Sequence, residues 1–382
     1  MKGDIRMEQA TLLAQAGSRW DVRTGAISMP VYNSATFRHP GLGKSTGYDY
    51  SRTTNPTRCV LEELVAQMEG GVRAFAFASG LAAIDAVVRL FGPGDKLLAT
   101  EDLYGGTFRL FEKLARPLGI ETSYVNTTDT ASVKRALKNG VKALFLEVPS
   151  NPILNVADIR KLAAAAKEHS VLTIVDNTFL TFYNQRPLEL GADIVIYSAT
   201  KYLGGHDDVV AGVVVAGNQE LAEKIAFVQN AAGAILGPND SWLLLRGLKT
   251  LPLRLKKQEQ NSQRLAEWLV KHPRVNRVYY PGLPGHPGHK LLDKQAGGFG
   301  AMISLEVKDA RRIPDILANV KVFMYAESLG GVESLITYPT VQTHADIDPA
   351  IRERLGINER LLRLSVGIED IEDLRHDLDA VL

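Results

Sequence analysis

The sequence predicts an α/β fold in which a large domain with a mostly parallel sheet precedes a smaller α+β domain. From about residue 74, short apolar runs alternate with helical patterns, which is typical of parallel strands joined by helices. The chain has 382 residues, whereas a single hydrophobic core stops growing at roughly 250 to 300 residues. The pattern also changes after about residue 240, so we expect a second domain there.

The large domain is predicted to contain several short strands with helices between them. The strands correspond to residues 74–78, 96–100, 122–125, 143–148, 172–175, 193–197 and 212–215. The helices correspond to residues 81–91, 107–118, 132–138 and 158–169. Asp158 is a suitable N-cap for the last of these helices.

The C-terminal domain is predicted to follow a long connecting helix. Leucines recur at helical spacing from Leu248 to Leu269, and Pro252 is expected to kink this helix. Later strands and a closing amphipathic helix are predicted at residues 301–307, 334–338, 361–366 and 371–382.

The first residues are predicted to form an extended arm, because they lack this alternation and contain Gly41, Gly43 and Gly47. An arm without a core of its own gains burial by crossing to a neighbouring subunit, so we expect an oligomer. The predicted divisions are the arm at residues 1–55, the large domain at 56–245 and the C-terminal domain at 246–382.

The charge balance argues against nucleic acid and membrane partners. Lys and Arg total 44 and Asp and Glu total 43, so no strong field attracts nucleic acid or anionic lipid. No run of about 18 apolar residues predicts a membrane span, and residues 1–20 lack the apolar core of a secretion signal. Together with the single cysteine, Cys59, these features predict a cytoplasmic protein that acts on a small molecule.

Polar side chains follow several of the predicted strands, where open α/β sheets bind their ligands. Ser79 and Gly80 precede a helix whose first N–H groups suit a phosphate, although small residues cap many helices. Asp176 ends another strand, and its position alone fits a metal ligand, a helix cap or a partner for a ring nitrogen. Residues 206–208, His-Asp-Asp, are too close in sequence to converge on one ion, so we predict structural contacts and no metal site.

Lys201 is the most specific candidate, because it follows an apolar strand and lies among small residues. Two hydroxyls, those of Ser198 and Thr200, lie within three residues of this lysine. Hydroxyls can hold phosphate oxygens, and an amine that is shielded from water favours its neutral, nucleophilic form. The sequence therefore predicts a lysine nucleophile beside a phosphate site.

Eight ordered segments resemble the Cys/Met-metabolism pyridoxal-phosphate enzymes. They are residues 50–57, 79–83, 104–107, 149–152, 176–178, 198–205, 327–334 and 362–367. The match is collinear from the arm to the C-terminal domain. It implies the aspartate-aminotransferase-like fold (fold type I), pyridoxal 5'-phosphate as the cofactor, and a homotetramer of paired dimers with shared active sites.

The resemblance implies particular contacts with the cofactor. Lys201 would carry it as a Schiff base, Asp176 would pair with its ring nitrogen, and Tyr104 would stack on its ring. Tyr50 would join these three as a catalytic residue. The phosphate would be held by residues from two subunits, namely Gly80, Leu81, Ser198 and Thr200 of one chain and Tyr50 and Arg52 of its neighbour.

The resemblance also implies contacts with an amino-acid substrate. Arg363 would bind the α-carboxylate with two parallel hydrogen bonds, with Asn151 and Ser328 nearby. Arg109 would reach the far end of the substrate, although an exposed helix arginine is an equally simple interpretation. Thr337 is also expected in the substrate site, at a position where eukaryote-like γ-lyases typically carry glutamate.

Within the family, we predict cystathionine γ-lyase activity with some β-lyase activity, of the bacterial kind. This reaction converts L-cystathionine to cysteine, 2-oxobutanoate and ammonia. Cystathionine γ-synthase, O-acetylhomoserine sulfhydrylase and cystathionine β-lyase remain alternatives, because Thr337 does not separate γ-lyase from γ-synthase. Gly106 argues against methionine γ-lyase, which usually carries cysteine at this position. A non-catalytic pyridoxal-phosphate carrier is a further alternative, but it would not need Arg363, Asn151 and Ser328 together.

Overall fold

Two β-sheets organise the part of the chain that the structure describes, which is residues 7–345 and 348–382 of a computed structural model. Residues 1–6 of the predicted arm lie outside this part. No helix among the described residues is long and apolar enough to cross a bilayer.

The larger sheet contains seven strands in the described residues. They are β1 (Arg73–Phe77), β2 (Lys96–Thr100), β3 (Glu121–Val125), β4 (Val141–Glu147), β5 (Leu172–Asp176), β6 (Ile194–Ser198) and β7 (Gly212–Ala216). Their order across the sheet is β1-β7-β6-β5-β4-β2-β3. β7 runs antiparallel to both of its neighbours and the other pairs are parallel, which confirms the predicted mostly parallel sheet.

Helices cover both faces of this sheet. They are α1 (Gln9–Ala14), α2 (Pro56–Glu69), α3 (Gly80–Val88), α4 (Gly105–Leu110), α5 (Thr130–Leu137), α6 (Ile159–Glu168), α7 (Thr181–Asn184) and α8 (Gln219–Ala232). Strand side chains alternate between the faces, so Val175 joins the core under α2, α5 and α6, whereas Ile174 joins the core under α3, α4 and α8. With helices packed on both faces of the sheet, the carboxyl ends of β4, β5 and β6 lie at an edge where a site can form.

Two helices replace the single kinked helix that the leucine spacing predicts. α9 (Pro238–Leu248) ends at Leu248, and α10 (Leu251–Leu269) begins after Lys249 and Thr250. Pro252 lies in the first turn of α10. Backbone N–H groups in a first turn have no acceptor within the helix, so proline breaks no hydrogen bond there, and its fixed φ favours the helix. The predicted kink at Pro252 was therefore wrong.

The smaller sheet lies beyond α10. Its strands are β8 (Val275–Tyr279), β9 (Met302–Val307), β10 (Met324–Tyr325), β11 (Leu335–Thr337) and β12 (Leu361–Ser365), in the order β10-β11-β12-β9-β8. All pairs are antiparallel except β10 with β11. The accompanying helices are α11 (His289–Gln295), α12 (Ile313–Asn319), α13 (Pro349–Arg354) and α14 (Ile371–Val381). β12 is the central strand of the smaller sheet, and all of its residues are buried. A side chain of β12 that points toward the larger sheet is therefore shielded from water.

The segment before α2 is mostly irregular, but it contains the short helix α1, which the prediction of an extended arm did not include. Asn55 caps α2, and its Oδ1 accepts hydrogen bonds from the backbone N–H groups of Thr57 and Arg58 at 3.0 and 3.4 Å. The domain boundaries at residues 55 and 245 stay predictions.

Candidate active site

A cavity lies at the carboxyl ends of β4, β5 and β6, and residues from the C-terminal part of the chain close it. Most of the predicted site residues line it. They are Gly80, Leu81, Tyr104, Asn151, Asp176, Ser198, Thr200, Lys201, Ser328 and Arg363. The lining found in the described residues does not include Tyr50, Arg52, Arg109 or Thr337.

Lys201 lies on the turn after β6, with its amine directed at the C-terminal part of the chain. Its Nζ donates a hydrogen bond to Ser328 Oγ over 2.6 Å. Burial lowers the pKa of Lys201 to about 8, and the charge of Arg363 acts in the same direction. A substantial fraction of the amine is therefore neutral near pH 8, as a nucleophile or a base requires.

The N-terminus of α3 borders the cavity beside Ser198. Ser79 caps the helix, and its Oγ accepts a hydrogen bond from Ala82 N over 3.0 Å. The first-turn N–H groups of Gly80 and Leu81 have no acceptor within the helix. A Cβ atom at Gly80 would lie 2.8 Å from Ser198 Cβ, so only glycine permits this approach. Two N–H groups, a hydroxyl and the positive end of a helix dipole thus meet in one place, which suits a phosphate.

Thr200 also borders the cavity, and a neighbouring loop holds its hydroxyl. This hydroxyl donates to Ala211 O over 3.1 Å and accepts from Ala211 N over 2.9 Å. A phosphate oxygen would compete with Ala211 O for the same proton. The phosphate contact of Thr200 therefore stays a prediction.

Two buried carboxyl groups lie side by side in the cavity. Asp176 ends β5, and its Oδ1 accepts hydrogen bonds from the N–H and hydroxyl of Thr178 at 3.0 and 2.6 Å. Burial raises the pKa of Asp176 to about 6, although both bonds from Thr178 act in the opposite direction. Glu147 ends β4 in direct register with Asp176, and burial followed by the charge of Asp176 raises its pKa well above the usual range.

Tyr104 precedes α4 and is joined to this carboxyl pair through its backbone, because its N–H donates to Glu147 Oε2 over 2.9 Å. A Cβ atom at Gly106 would lie 2.4 Å from Tyr104 Cε1, so this ring orientation requires glycine at that position. Burial raises the pKa of the Tyr104 hydroxyl and the charge of Arg109 opposes this rise, so Arg109 lies within electrostatic reach. Arg109 is exposed on α4, and its contact with a substrate stays a prediction.

Arg363 is a cation that is 1% exposed and is held by neutral oxygen atoms. Its Nη1 donates to Asn151 Oδ1 over 2.9 Å. Its Nη2 donates to Ser328 O over 3.2 Å and to Thr337 Oγ1 over 3.3 Å. Its Nε is buried with no hydrogen-bond acceptor, and burial lowers the pKa of Arg363 to about 10. A buried cation whose hydrogen bonds all go to neutral oxygen atoms favours an anionic ligand.

Thr337 lies behind this guanidinium. Its side chain is 1% exposed, and its hydroxyl donates to Ala326 O over 3.2 Å while it accepts from Arg363. The hydroxyl therefore positions Arg363 in this structure, and a direct contact between Thr337 and a substrate stays a prediction.

Tyr50 and Arg52 lie on the surface of their own chain. Tyr50 is 46% exposed, and the guanidinium carbon of Arg52 lies 5.2 Å from the centre of its ring. Arg52 Nε also donates to Asn230 Oδ1 over 3.4 Å. The predicted contact of both side chains with a neighbouring subunit's phosphate site stays a prediction.

Two buried residues beside the cavity, Glu147 and His344, were not among the predicted site residues. Glu147 falls inside the apolar run at residues 143–148, and a carboxyl group near the end of that run was the available signal. His344 belongs to a segment without periodicity, so no pattern marked it. Its ring nitrogen Nε2 lies 2.9 Å from the backbone oxygen of Asn151.

The cavity fits pyridoxal phosphate at three separate points. Lys201, with its lowered pKa, suits covalent attachment of an aldehyde carbon, and Asp176 suits a protonated ring nitrogen. The close approach of Gly80 to Ser198 suits the phosphate. Arg363 adds a place for the carboxylate of an amino acid. Fold and site together define a pyridoxal-phosphate-dependent enzyme of fold type I.

The family profile described as "Cys/Met metabolism PLP-dependent enzyme" matches residues 10–382. The chain belongs to this family, so the resemblance seen in the sequence is confirmed. It is accordingly an enzyme of cysteine and methionine metabolism that uses pyridoxal phosphate, and not a non-catalytic carrier.

Similar proteins carry three different reaction names. The chain is 50% identical to a cystathionine γ-lyase of Bacillus subtilis (strain 168), over 98% of this chain and 99% of that protein. It is 51% identical to a cystathionine β-lyase of Lactococcus lactis subsp. cremoris (strain MG1363), over 97% of this chain and 98% of that protein. A solved cystathionine γ-synthase from Xanthomonas oryzae pv. oryzae, in complex with cystathionine, matches with a TM-score of 0.97 and 43% identity over 98% of both chains.

Proposed function

We propose that this enzyme is a cystathionine γ-lyase that cleaves L-cystathionine to cysteine, 2-oxobutanoate and ammonia. The observation that carries the proposal is the position of Ser328 between a base and a carboxylate site. Its Oγ accepts a hydrogen bond from Lys201 Nζ at 2.6 Å, and its backbone oxygen accepts one from Arg363 Nη2 at 3.2 Å. A substrate held by its carboxylate at Arg363 would therefore present its nearest carbon atoms to the amine of Lys201.

Cleavage on the γ side requires a base that acts twice on one substrate, first at Cα and then at Cβ. An amine with a pKa of about 8 accepts and releases protons readily near neutral pH, and Lys201 is the amine that meets this requirement beside Arg363. Pyridoxal phosphate, when bound, supplies the electron sink that makes these carbon-bound protons acidic. Burial keeps the Tyr104 hydroxyl protonated, so it can donate a proton to the departing sulfur.

Cystathionine γ-synthase is the second candidate, because the solved relative with a TM-score of 0.97 is a γ-synthase bound to cystathionine. A β-lyase is the third, given the 51% identity to the enzyme of that name. Thr337 does not separate them. Its hydroxyl is engaged with Arg363 and Ala326, so it adds no charge at the far end of a substrate.

The products of cystathionine distinguish the three reactions. We expect purified holoenzyme to release 2-oxobutanoate and cysteine as the main products, identified by chromatography of the keto acid and the thiol. Pyruvate and homocysteine as the main products would instead establish a β-lyase. Faster formation of cystathionine from O-acetylhomoserine and cysteine than its cleavage would establish a γ-synthase. Lys201→Ala is the control and should release neither keto acid.

We also propose that the enzyme is a cytoplasmic homotetramer built from two dimers. The exposed pair of Tyr50 and Arg52 supports shared sites, because both residues lie outside the cavity of their own chain. The single cysteine supports a reducing compartment, since its thiol has no second cysteine to pair with.

A further inference from the structure

His344 is a buried histidine beside the active site to which the proposed reaction gives no role. It is 0% exposed, and it follows Thr343, which lines the cavity. Its ring makes bonds in two directions, with Nε2 at 2.9 Å from Asn151 O and Nδ1 at 2.8 Å from Thr343 Oγ1. The ring therefore joins a segment of the C-terminal domain to the turn after β4.

The bond to Asn151 selects the tautomer of the neutral ring. A carbonyl oxygen can only accept, so Nε2 carries the proton and donates to Asn151 O, which leaves Nδ1 to accept from the hydroxyl of Thr343. The backbone oxygen of Leu103 also acts on this ring. Burial lowers the pKa of His344 to about 3, and the charge of Arg363 acts in the same direction. The imidazole thus adds no second positive charge beside Arg363 at the pH at which enzymes work.

Asn151 extends this connection to the carboxylate site. Its backbone oxygen accepts the bond from His344, and its side-chain Oδ1 accepts a bond from Arg363 Nη1 over 2.9 Å. Fixing the backbone of Asn151 restricts the positions of Oδ1, and Oδ1 holds one edge of the guanidinium. Because a planar guanidinium binds a carboxylate through two bonds only in a narrow range of orientations, this edge matters for binding.

The segment that carries His344 is packed closely on its other side as well. A Cβ atom at Gly105 would lie 2.1 Å from Thr343 O, so the start of α4 admits no side chain there. Farther along the chain, Arg354 Nη1 bonds to Glu101 Oε2 over 2.8 Å. These contacts hold His344 at the place where the C-terminal domain meets the turn of Asn151.

We propose that His344 is a positioning residue for the substrate's α-carboxylate: its Nε2–H fixes the Asn151 turn and, through that turn, the guanidinium of Arg363. This role rests on the carboxylate-binding role of Arg363 in the proposed function, but not on which C–S bond the enzyme cleaves. Loss of the bond is expected to weaken binding of every ligand that has an α-carboxylate and to leave other ligands unaffected.

Three neutral variants separate the hydrogen-bond donor from the ring. The amide nitrogen of His344→Gln falls near the position of Nε2 and keeps a donor for Asn151 O. The shorter side chain of His344→Asn does not reach that oxygen, and His344→Met fills the space without a donor. Each holoenzyme is titrated with L-alanine, which has the amine and carboxylate but no leaving group, and with ethylamine, which lacks the carboxylate. The absorbance of the cofactor reports binding.

We expect His344→Asn and His344→Met to raise the Kd of L-alanine on the order of tenfold, the typical effect of one lost hydrogen bond. His344→Gln should stay within about threefold of the native enzyme. Ethylamine should bind equally in all four proteins. The KM for cystathionine should rise with the Kd of L-alanine, while kcat changes little. Adding Asn151→Ala to His344→Asn should weaken L-alanine no more than Asn151→Ala alone, because both act on one connection.

Several results would overturn this role. They are equal weakening of L-alanine and ethylamine, additive effects in the double variant, an unchanged Kd in His344→Asn, or a lower kcat at unchanged KM. Loss of cofactor or of cooperative unfolding in both His344→Asn and His344→Met would also overturn it, because His344 would then be required for folding. Release of pyruvate as the main keto acid from cystathionine would contradict the proposed reaction but leave the L-alanine result intact.

Discussion

Arg363 and Arg109 are two arginines with opposite environments near one cavity. Arg363 lies on a central strand, is 1% exposed and has its position set by Asn151, Ser328 and Thr337. Arg109 lies on the exposed side of α4, five residues after Tyr104. Burial fixes the position of the first, as the proposed carboxylate site requires, whereas the second lies at a solvent-exposed position on its helix.

We expect alanine substitutions at these two arginines to lower the catalytic efficiency for different sets of substrates. Arg363→Ala removes a buried, charged hydrogen-bonding group and should lower kcat/KM for all amino-acid substrates alike, by about 2 to 5 kcal/mol in transition-state free energy. Arg109→Ala should weaken cystathionine, which has a second amino-acid end, more than a short substrate such as O-acetylhomoserine. The measurement is kcat/KM for both substrates in both variants. An equal loss for the two substrates in Arg109→Ala would rule out recognition of the distal end.

At the scale of elements, a buried carboxyl group outside the cavity fixes α2 to the larger sheet. Glu69 ends α2, and its Oε2 accepts a hydrogen bond from the hydroxyl of Tyr197 on β6. Its Oε1 accepts a hydrogen bond from Leu188 N over 3.1 Å. Burial raises the pKa of Glu69 to about 7, although these bonds and the charge of Arg186 act in the opposite direction. The junction between helix and sheet therefore contains a group that titrates near neutral pH.

We expect the free energy of unfolding to depend on pH because of Glu69, and Glu69→Gln should remove this dependence. The carboxyl has an ordinary pKa of 4.5 and a folded-state pKa of about 7. The folded state therefore binds more protons between these values, and its stability falls as pH rises through this window. The free energy of unfolding lost across this pH window is about 3 kcal/mol. Urea unfolding from pH 4.5 to 8 should show the native enzyme losing stability relative to Glu69→Gln up to about pH 7 and no further.

The exposed Glu63 on the same helix supplies the control. Glu63→Gln should follow the native enzyme across the whole pH range, because it removes a carboxyl group from an exposed position and leaves the buried Glu69 in place. If the curves of Glu69→Gln and the native enzyme instead run parallel, the Glu69 carboxyl titrates normally and does not make this junction pH-sensitive.

The elements also show which features sequence patterns can predict. Apolar runs located most strands of the larger sheet, because these strands are buried on both faces, whereas β3 at the sheet edge is partly exposed. The same rule placed Asp176 and Lys201 at strand ends in the cavity. Periodicity could not locate Glu147 within an apolar strand. It also placed Pro252 at a kink, because leucine spacing alone does not reveal that one helix ends at Leu248 and another begins at Leu251.

Contacts between segments that are distant in the sequence are harder still to predict from sequence patterns. His344 bonds to Asn151, 193 positions away, and Lys201 bonds to Ser328, 127 positions away. Only the docking of the smaller sheet on the larger one brings these pairs together. The resemblance to a family supplied Ser328 as a site residue, whereas His344 carried no signal of its own.

At the scale of the whole molecule, the position of the arm bears on whether one chain holds a complete active site. The described part of the chain provides the lysine, the buried arginine and the helix N-terminus, but Tyr50 and Arg52 are exposed and do not line the cavity. Arg52 contacts Asn230 near the end of α8. A side chain of this kind can serve a phosphate site only if a second copy of the chain brings its cavity to the arm.

We therefore expect two inactive variants to restore each other's activity. Arg52→Ala lacks the arm contact, and Lys201→Ala lacks the nucleophile. In a mixed dimer, the intact Lys201 of one chain meets the intact Arg52 of its partner, while the other site carries both defects. Random mixing makes half of the dimers mixed, with one working site in two, so about a quarter of the native activity should return. The experiment unfolds and refolds the two variants together with cofactor and measures keto-acid release by the whole mixture, while a tag on one variant confirms that it has formed oligomers with the other. Mixed oligomers without activity would show that the arm serves the site of its own chain, and the proposal of shared sites would fail.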